Sequence, residues 1–446
     1  KAEIKTIITS ELFLKKLNSR DMDMSPLWNN SDRDQQVQKI ELENIKAEVK
    51  PLQKIGALIQ ALAFPCKIIQ SLYFKGVSID ENAAILFSSG SEGTPKGVEL
   101  THENLLGNIA QVSSLLNPTK EDVVLGQLPT FHAFGLTVTS LLPLIEGIPV
   151  LTHPDPLDVK KIGKLVLKNK VTFMCGTSTF LNMYSKSSSI HPLMFSSIRM
   201  VVSGAEKLRS DVRNQFFEKY GIQILEGYGT TETTPVASVN IPDLLLGKHG
   251  QVQTGQKLGS VGIALPGSCF RVVDPGTIEE LAIGEDGLIL IGGTQIMKGY
   301  LDDEKRTNDV LLTLEDGTRW YKSGDKGHLD EDGFLTIVDR YSRFAKVGGE
   351  MVSLTAVESA IEICLEQEAE VLTVAMPHQL KGEQLVALVA NMNVEQLKAR
   401  VSSMNQEELP KLYRPSKWLK VDDIPKLGSG KIDLAQAKRI VEKEFQ

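Results

Sequence analysis

Short apolar runs alternate with longer amphipathic stretches from residue 83 to about 226. The runs are AAILFSS, DVVLGQLP, IPVLTH, VTFMCG, SIRMVVSGAE and IQILEGYG, each followed by a turn signal or a helical pattern. Strand and helix in alternation predict a parallel sheet covered by helices. Between residues 257 and 339 the texture changes to closely spaced strands and turns (GLILIGG, DGTRWYKSGD, DEDGFLTIVDR), which predicts a small antiparallel sheet. Beyond Arg340 come a helical pattern at 353–368, the β-runs EVLTVAMP and QLVALVANM, a helical stretch at 394–409 and a lysine-rich tail. The expected fold is therefore α/β. A large domain of helix-covered sheets spans 1–339, with 257–339 as its β-rich part, and an α+β domain spans 340–446. Residues 1–80 pattern less clearly: a strand-like KTIITS, a polar loop-rich stretch at 18–40, then amphipathic helix to about residue 74.

Two apolar stretches, 55–66 and 136–151, are interrupted by Gln60, Pro65, Pro143 and Glu146, short of the ~20 apolar residues a membrane span needs. Both read as core, the first with the option of lying on a membrane surface or against upstream sequence. The chain opens on Lys1 rather than Met, so a processed or truncated product is expected, with no visible signal peptide.

Composition narrows the field. With 446 residues, 41% of them hydrophobic, 24% charged and a net charge of −7, the chain can bury large cores and carries no basic footprint for nucleic acid. Cys66, Cys175, Cys269 and Cys364 lack metal-site or redox spacing and read as isolated buried thiols in a reducing compartment.

The chemistry concentrates first at Ser88-Ser89-Gly90-Ser91-Glu92-Gly93-Thr94-Pro95-Lys96-Gly97, between an apolar strand and a helix that Thr101 can cap. Close glycines let backbone N–H groups converge on phosphate oxygens, the hydroxyls add donors, and Lys96 adds a charge. Gly97 after the lysine excludes the Walker pattern, which needs Ser or Thr there.

This loop resembles the nucleotide loop of the adenylate-forming superfamily of acyl-CoA synthetases, luciferases and peptide-synthetase adenylation domains. Further segments resemble that superfamily's motifs in order: LPTFHAFG (128–135), SGAEKL (203–208), EGYGTTE (226–232), YKSGD (321–325), DRYSRFAKVGGEMVSLTAVE (339–358) and PKLGSGKID (425–433). The resemblance implies a carboxylate activated as acyl-AMP by ATP and Mg²⁺, then passed to a thiol. Lys431 is implied as the catalytic lysine and Glu232 as the Mg²⁺ ligand. Thr230 is implied at the α-phosphate, Tyr228 at adenine, Asp325 with Arg340 at the ribose, and His132 as a positioning residue at the acyl site. Gly204, Ala205, Glu206, Glu226, Gly227 and Gly229 complete the implied nucleotide set. Gly348 and Gly349 are implied as the passage for a pantetheine arm, reached by rotation of a mobile C-terminal domain. The hinge position is Ser342, where the superfamily usually has Asp or Lys.

SSGSEGTPKG, PTFHAFGLTVTSLLPL with HPDPLD, and RFAKVGGEMVSL resemble a narrower branch, the acyl–acyl-carrier-protein synthetase part of bifunctional bacterial enzymes with an upstream 2-acylglycerophosphoethanolamine acyltransferase domain. That implies a medium- or long-chain fatty acid, holo acyl carrier protein as acceptor, and a cytoplasmic location with peripheral membrane association through sequence upstream of Lys1. Lys411, Arg414, Lys417 and Lys420 form an acid-free basic run suited to an acidic carrier protein or to plain solvation. His153 and Asp158 match an acyltransferase His-x₄-Asp spacing, but inside the ligase region, where the prolines of HPDPLD read as loop-shaping. The residues leave open a CoA ligase, a silent nucleotide- or lipid-binding module, and amino-acid activation through Glu206.

Overall fold

The computed structural model describes residues 4–18, 23–28, 37–73, 76–88, 95–246, 251–314, 317–366, 369–378, 382–427 and 432–445. They fall into two compact units, Lys1–Glu81 and Asn82–Gln446.

In the first unit the strand Thr6–Thr9 pairs in parallel with Gln38–Glu41, a strand inside the stretch expected to be loop. The helices Leu42–Glu48, Pro51–Ala63 and Cys66–Tyr73 follow. Neither of the last two contains a buried residue, so the reading of 55–66 as core is corrected. Periodicity reports which face of a helix is apolar, not whether anything covers it.

In the second unit the main sheet has, among the described residues, seven strands. Their order is Ile263–Ala264, Val236–Val239, Ile224–Gly229, Met200–Ser203, Phe173–Gly176, Val124–Gly126 and Val150–Thr152. The last five of these pair in parallel, as the alternating pattern predicts. Their near-continuous apolar runs build one core with the helices Val159–Asn169, Ser178–Lys186 and Ser210–Tyr220, in which Met174, Leu181 and Phe216 are fully buried. The apolar stretch at 136–151 contributes Val138 and Leu142 to this core, as expected.

The first strand of the expected series departs from the pattern. Asn82–Ser88 does not join the parallel sheet. It pairs antiparallel with Lys96–Thr101 in a three-stranded sheet completed by Gly299–Tyr300. The two strands that bracket the glycine-rich stretch thus pair with each other, Ser88 opposite Lys96, where a step from strand directly to helix was expected. The helix His102–Leu116 begins only after the second strand, where Thr101 Oγ1 accepts from Asn104 N–H as expected.

The β-rich part forms as predicted: Ser268–Val273, Gly287–Gly293, Arg319–Leu329 and Leu311–Thr313 lie side by side, with Leu335–Arg340 pairing onto the long strand. After it, Glu350–Ser353, Phe344–Val347, Gly382–Ala390 and Glu370–His378 make a further sheet. Alternate residues of its strands feed opposite faces: Leu385 and Val389 meet the helices Leu354–Glu362 and Val394–Ser403, while Val386 and Leu388 meet Ala437 and Val441. The lysine-rich tail is therefore an amphipathic helix, Leu434–Phe445. Of the four thiols only Cys175 is fully buried, its pKa pushed up by burial; Cys66 and Cys269 are exposed, which corrects the expectation of four buried thiols. Among the described residues no helix is long and apolar enough to cross a membrane.

Candidate active site

The ends of two parallel strands and one turn converge on a single cleft. Ile224–Gly229 delivers Gly227, Tyr228 and Gly229, and Thr230 follows, directly before the short helix Thr231–Thr233. Met200–Ser203 delivers Ser203 and the turn Gly204-Ala205, in which Ala205 holds φ = +73°, a left-handed conformation costly for a residue with a Cβ. His132 and Phe134 close the wall from the start of the helix Ala133–Leu136, and Nδ1 of His132 accepts from Phe134 N–H at 3.3 Å. Gly229 is required on steric grounds, because a Cβ there would lie 1.7 Å from the Pro235 carbonyl oxygen.

Two hydroxyl oxygens of this cleft, Thr230 Oγ1 and Ser203 Oγ, are buried without a hydrogen-bond partner. A buried hydroxyl left unpaired costs free energy, so these two are suited to an occupant with hydrogen-bonding oxygens.

Asp325, 2% exposed, accepts from Tyr228 Oη at 2.5 Å and from Arg340 Nε at 2.7 Å. Burial and the neighbouring carboxylate push the Tyr228 phenol well up, and Asp325 holds the Arg340 guanidinium charged. Glu232 is buried and accepts from Tyr300 Oη at 2.8 Å; Lys96 Nζ sits 5.1 Å over the same tyrosine ring. Tyr300 was not singled out in the sequence, since its partner lies 68 residues away and neither periodicity nor spacing marks it.

Other expected residues fall elsewhere or outside the description. Glu226 turns its side chain to a separate open cavity of about 490 Å³, 3.6 Å from Arg213, while its carbonyl accepts from Asn240. Glu206 accepts from Thr179 N–H at 2.5 Å, capping the helix Ser178–Lys186, which commits one carboxylate oxygen away from a substrate amine. Ser88 ends its strand. Ser89, Gly90, Ser91, Gly93, Thr94 and Lys431 lie outside the described residues. Gly348 (φ = +61°) and Gly349 (φ = +96°) form the tight turn between Phe344–Val347 and Glu350–Ser353, a left-handed pair that favours glycine. Ser342 is exposed in the short helical turn Tyr341–Arg343.

Near it, Asp339 is buried and ties that turn to the strand and helix that follow: it accepts from Ser353 Oγ, and from Thr355 Oγ1 at 2.8 Å. In the basic run, Arg414 donates to the carbonyls of Leu409, Ser402 and Met404, and Lys417 lies 4.3 Å over the Phe445 ring. Lys411 and Lys420 are exposed, so half of the run is internal bracing and half faces outward. His153 is buried with Nε2 3.6 Å from Asp158, beyond hydrogen-bond range, and Asp158 caps the helix Val159–Asn169.

The chain matches the family model for AMP-binding enzymes over residues 1–301 and that for the AMP-binding enzyme C-terminal domain over 356–431. It is 35% identical over 285 residues to a probable 4-coumarate–CoA ligase of Dictyostelium discoideum, 63% of this chain and 49% of that one. It is 30% identical over 367 residues to a long-chain-fatty-acid–CoA ligase of Salmonella typhimurium, 81% of this chain and 62% of that one. The chain thus spans about half to three-fifths of the length of these relatives. ATP-bound MatB from Rhodopseudomonas palustris superposes with a TM-score of 0.76 at 25% identity, over 99% of this chain and 80% of that one.

Proposed function

Because the chain belongs to the AMP-binding enzyme family, we propose that it is an ATP-dependent acid–thiol ligase. It activates a medium- or long-chain fatty acid as acyl-AMP and passes the acyl group to the phosphopantetheine thiol of acyl carrier protein. The observation that carries the reading is the cleft in which the unpartnered Thr230 and Ser203 hydroxyls meet the turn of Ala205 and the Tyr228–Asp325–Arg340 cluster. Hydroxyls at one end suit phosphate oxygens, and a buried carboxylate beside an aromatic ring suits a ribose diol under a stacked base.

In the first half-reaction a carboxylate oxygen attacks the α-phosphorus of ATP, forming the acyl–phosphate bond as the bond to pyrophosphate breaks. No base is needed, since a fatty acid is ionised at neutral pH. Thr230 donates to the α-phosphate, Tyr228 packs on adenine, Asp325 accepts from the ribose hydroxyls with Arg340 steadying it, and Lys431 neutralises charge growing between the carboxylate and phosphate. Lys96 and the hydroxyls of 88–94 hold the outgoing phosphates. Mg²⁺ fits Glu232, because such an ion takes one or two carboxylates beside phosphate oxygens, and when bound it offsets phosphate charge. Tyr300 orients that carboxylate. In the second half-reaction the thiol sulfur attacks the acyl carbonyl, AMP leaves, and the thiol proton is lost. The division at 339/340, with rotation about Ser342 bringing Gly348 and Gly349 to the site, belongs to this proposal.

Transfer to CoA is the second reading. It is favoured by the Salmonella relative's name and by the internal bonding of Arg414 and Lys417. Fatty-acid-dependent ATP–pyrophosphate exchange tests the activation. Mass spectrometry of products formed with holo carrier protein or with CoA tests the acceptor, and product with CoA alone would replace the first reading by the second.

A further inference from the structure

The two helices Pro51–Ala63 and Cys66–Tyr73 have no buried residue, yet each is sharply two-sided. On the first, Leu52, Ile55, Ile59 and Leu62 recur at helical spacing along one stripe with Leu58 beside it, while Gln53, Lys54 and Gln60 take the opposite side. On the second, Ile68, Ile69 and Leu72 share a face, and Lys67 and Ser71 oppose it. The apolar stripe is uncovered: Leu52 is 81% and Leu62 79% exposed, and Ile55, Leu58 and Ile59 are all more than half exposed. Phe64-Pro65 breaks the helix between the two segments, and Tyr73 Oη donates to Gln60 Oε1 at 2.6 Å, holding them together as a hairpin.

The charge of this hairpin selects its occupant. From residue 49 to residue 73 the charged side chains are Lys50, Lys54 and Lys67, without one acid, in a chain whose net charge is −7. An apolar stripe flanked by lysines alone is the pattern of a helix lying in a membrane interface, its lysine stems reaching up to anionic headgroups. A protein partner or a second copy would meet the same stripe but would not explain why the charged side chains within the hairpin itself are all lysines in an acidic chain.

We propose that the 51–73 hairpin docks on an anionic lipid surface, with Leu52, Ile55, Ile59 and Leu62 entering the headgroup–acyl boundary. This goes beyond the ligase reading and does not depend on it. Vesicle flotation tests it with the full chain, comparing phosphatidylcholine vesicles with vesicles containing about a third phosphatidylglycerol. Binding to the anionic vesicles at low salt, at least about tenfold above the neutral ones, is expected. Leu52→Glu with Leu62→Glu should lower it by a further tenfold or more, and Lys50→Glu with Lys54→Glu should lower it several-fold and flatten its salt dependence. These side chains are exposed, so the variants keep their fold, which circular dichroism checks. An Ile59→Trp variant adds a second readout, a blue-shifted emission on anionic vesicles. No flotation with anionic vesicles, flotation equal in the Leu52→Glu/Leu62→Glu variant, or a dimer in solution that this variant abolishes would each overturn the proposal.

Discussion

Asp325 and Arg340 stand opposite each other on neighbouring antiparallel strands and are joined by a 2.7 Å ion pair whose carboxylate is almost completely buried while its guanidinium is partly open to solvent. The carboxylate also receives the Tyr228 hydroxyl, so three residues from distant parts of the chain share one charge. Ribose recognition at this cluster would read that charge directly.

Asp325→Asn keeps the shape but removes the charge, and Asp325→Ala removes both. The Michaelis constant for ATP should rise about tenfold in the first and up to about a hundredfold in the second, with a smaller fall in kcat, the scale of losing one or two charge-assisted hydrogen bonds. Steady-state ATP–pyrophosphate exchange at varied ATP measures this. An unchanged constant in both variants would remove Asp325 from the nucleotide site.

Tyr300 touches the metal reading only through Glu232. Tyr300→Phe removes the hydroxyl and keeps the ring beneath Lys96, so the half-saturating Mg²⁺ concentration should rise about tenfold while turnover at saturating Mg²⁺ stays within a few-fold. Glu232→Gln should do more and should not be rescued at high Mg²⁺. A Mg²⁺ titration of the exchange reaction separates these outcomes.

Lys431→Ala should cut adenylation by about 10²–10³, the scale of removing one preorganised donor to a developing charge. Transfer from synthetic acyl-AMP to the thiol should be largely retained, because the role proposed for the lysine is confined to the first half-reaction. Equal loss in both halves would mean that it acts otherwise.

Asp122 is a structural counterpart that does not line the cleft. It is 2% exposed and takes Arg199 Nε and Nη2 at 2.8 and 2.6 Å, with Thr119 and Thr172 adding bonds. The Arg199 hydrogen bonds hold its carboxyl well below the usual carboxylate range against the pull of burial. A carboxyl depressed in the folded state stabilises fully above its unfolded value of about 3.9, and that contribution fades as pH falls below it toward the folded value. Asp122→Asn should therefore lose about 2–4 kcal/mol at pH 7, and the gap to the parent protein should narrow below about pH 4. Urea unfolding at both pH values checks the magnitude and the sign.

Much of the architecture was legible because the chain spells it in period. Five parallel strands of the main sheet and the antiparallel part after residue 257 follow from runs such as VTFMCG and GLILIGG. What failed has physical causes. KGVELT interleaves Lys96 and Glu99 with its apolar residues between glycines and a capped helix, so it did not stand out as an apolar run and the pairing of the two bracketing strands was missed. The tail helix Leu434–Phe445 hid behind its lysines, because Ala437 and Val441 are few and small against so much charge. Motif order brought Tyr228, Thr230, Ala205 and His132 to one cleft. It could not tell that the Glu226 side chain turns the other way or that Arg414 is spent on three carbonyls, since a motif names a residue and not its rotamer.

One peptide bond separates Asp339 from Arg340, yet the first is anchored to Ser353 and Thr355 and the second to Asp325. The two side chains make a seesaw whose arms are a single residue long. If the proposed reaction cycle holds, release of a nucleotide at one end and swing of the sheet at the other would be one mechanical event with no relay of intervening side chains, and replacing Asp339 by Ala should uncouple the timing of the two half-reactions while the contact of Arg340 with Asp325 stays in place.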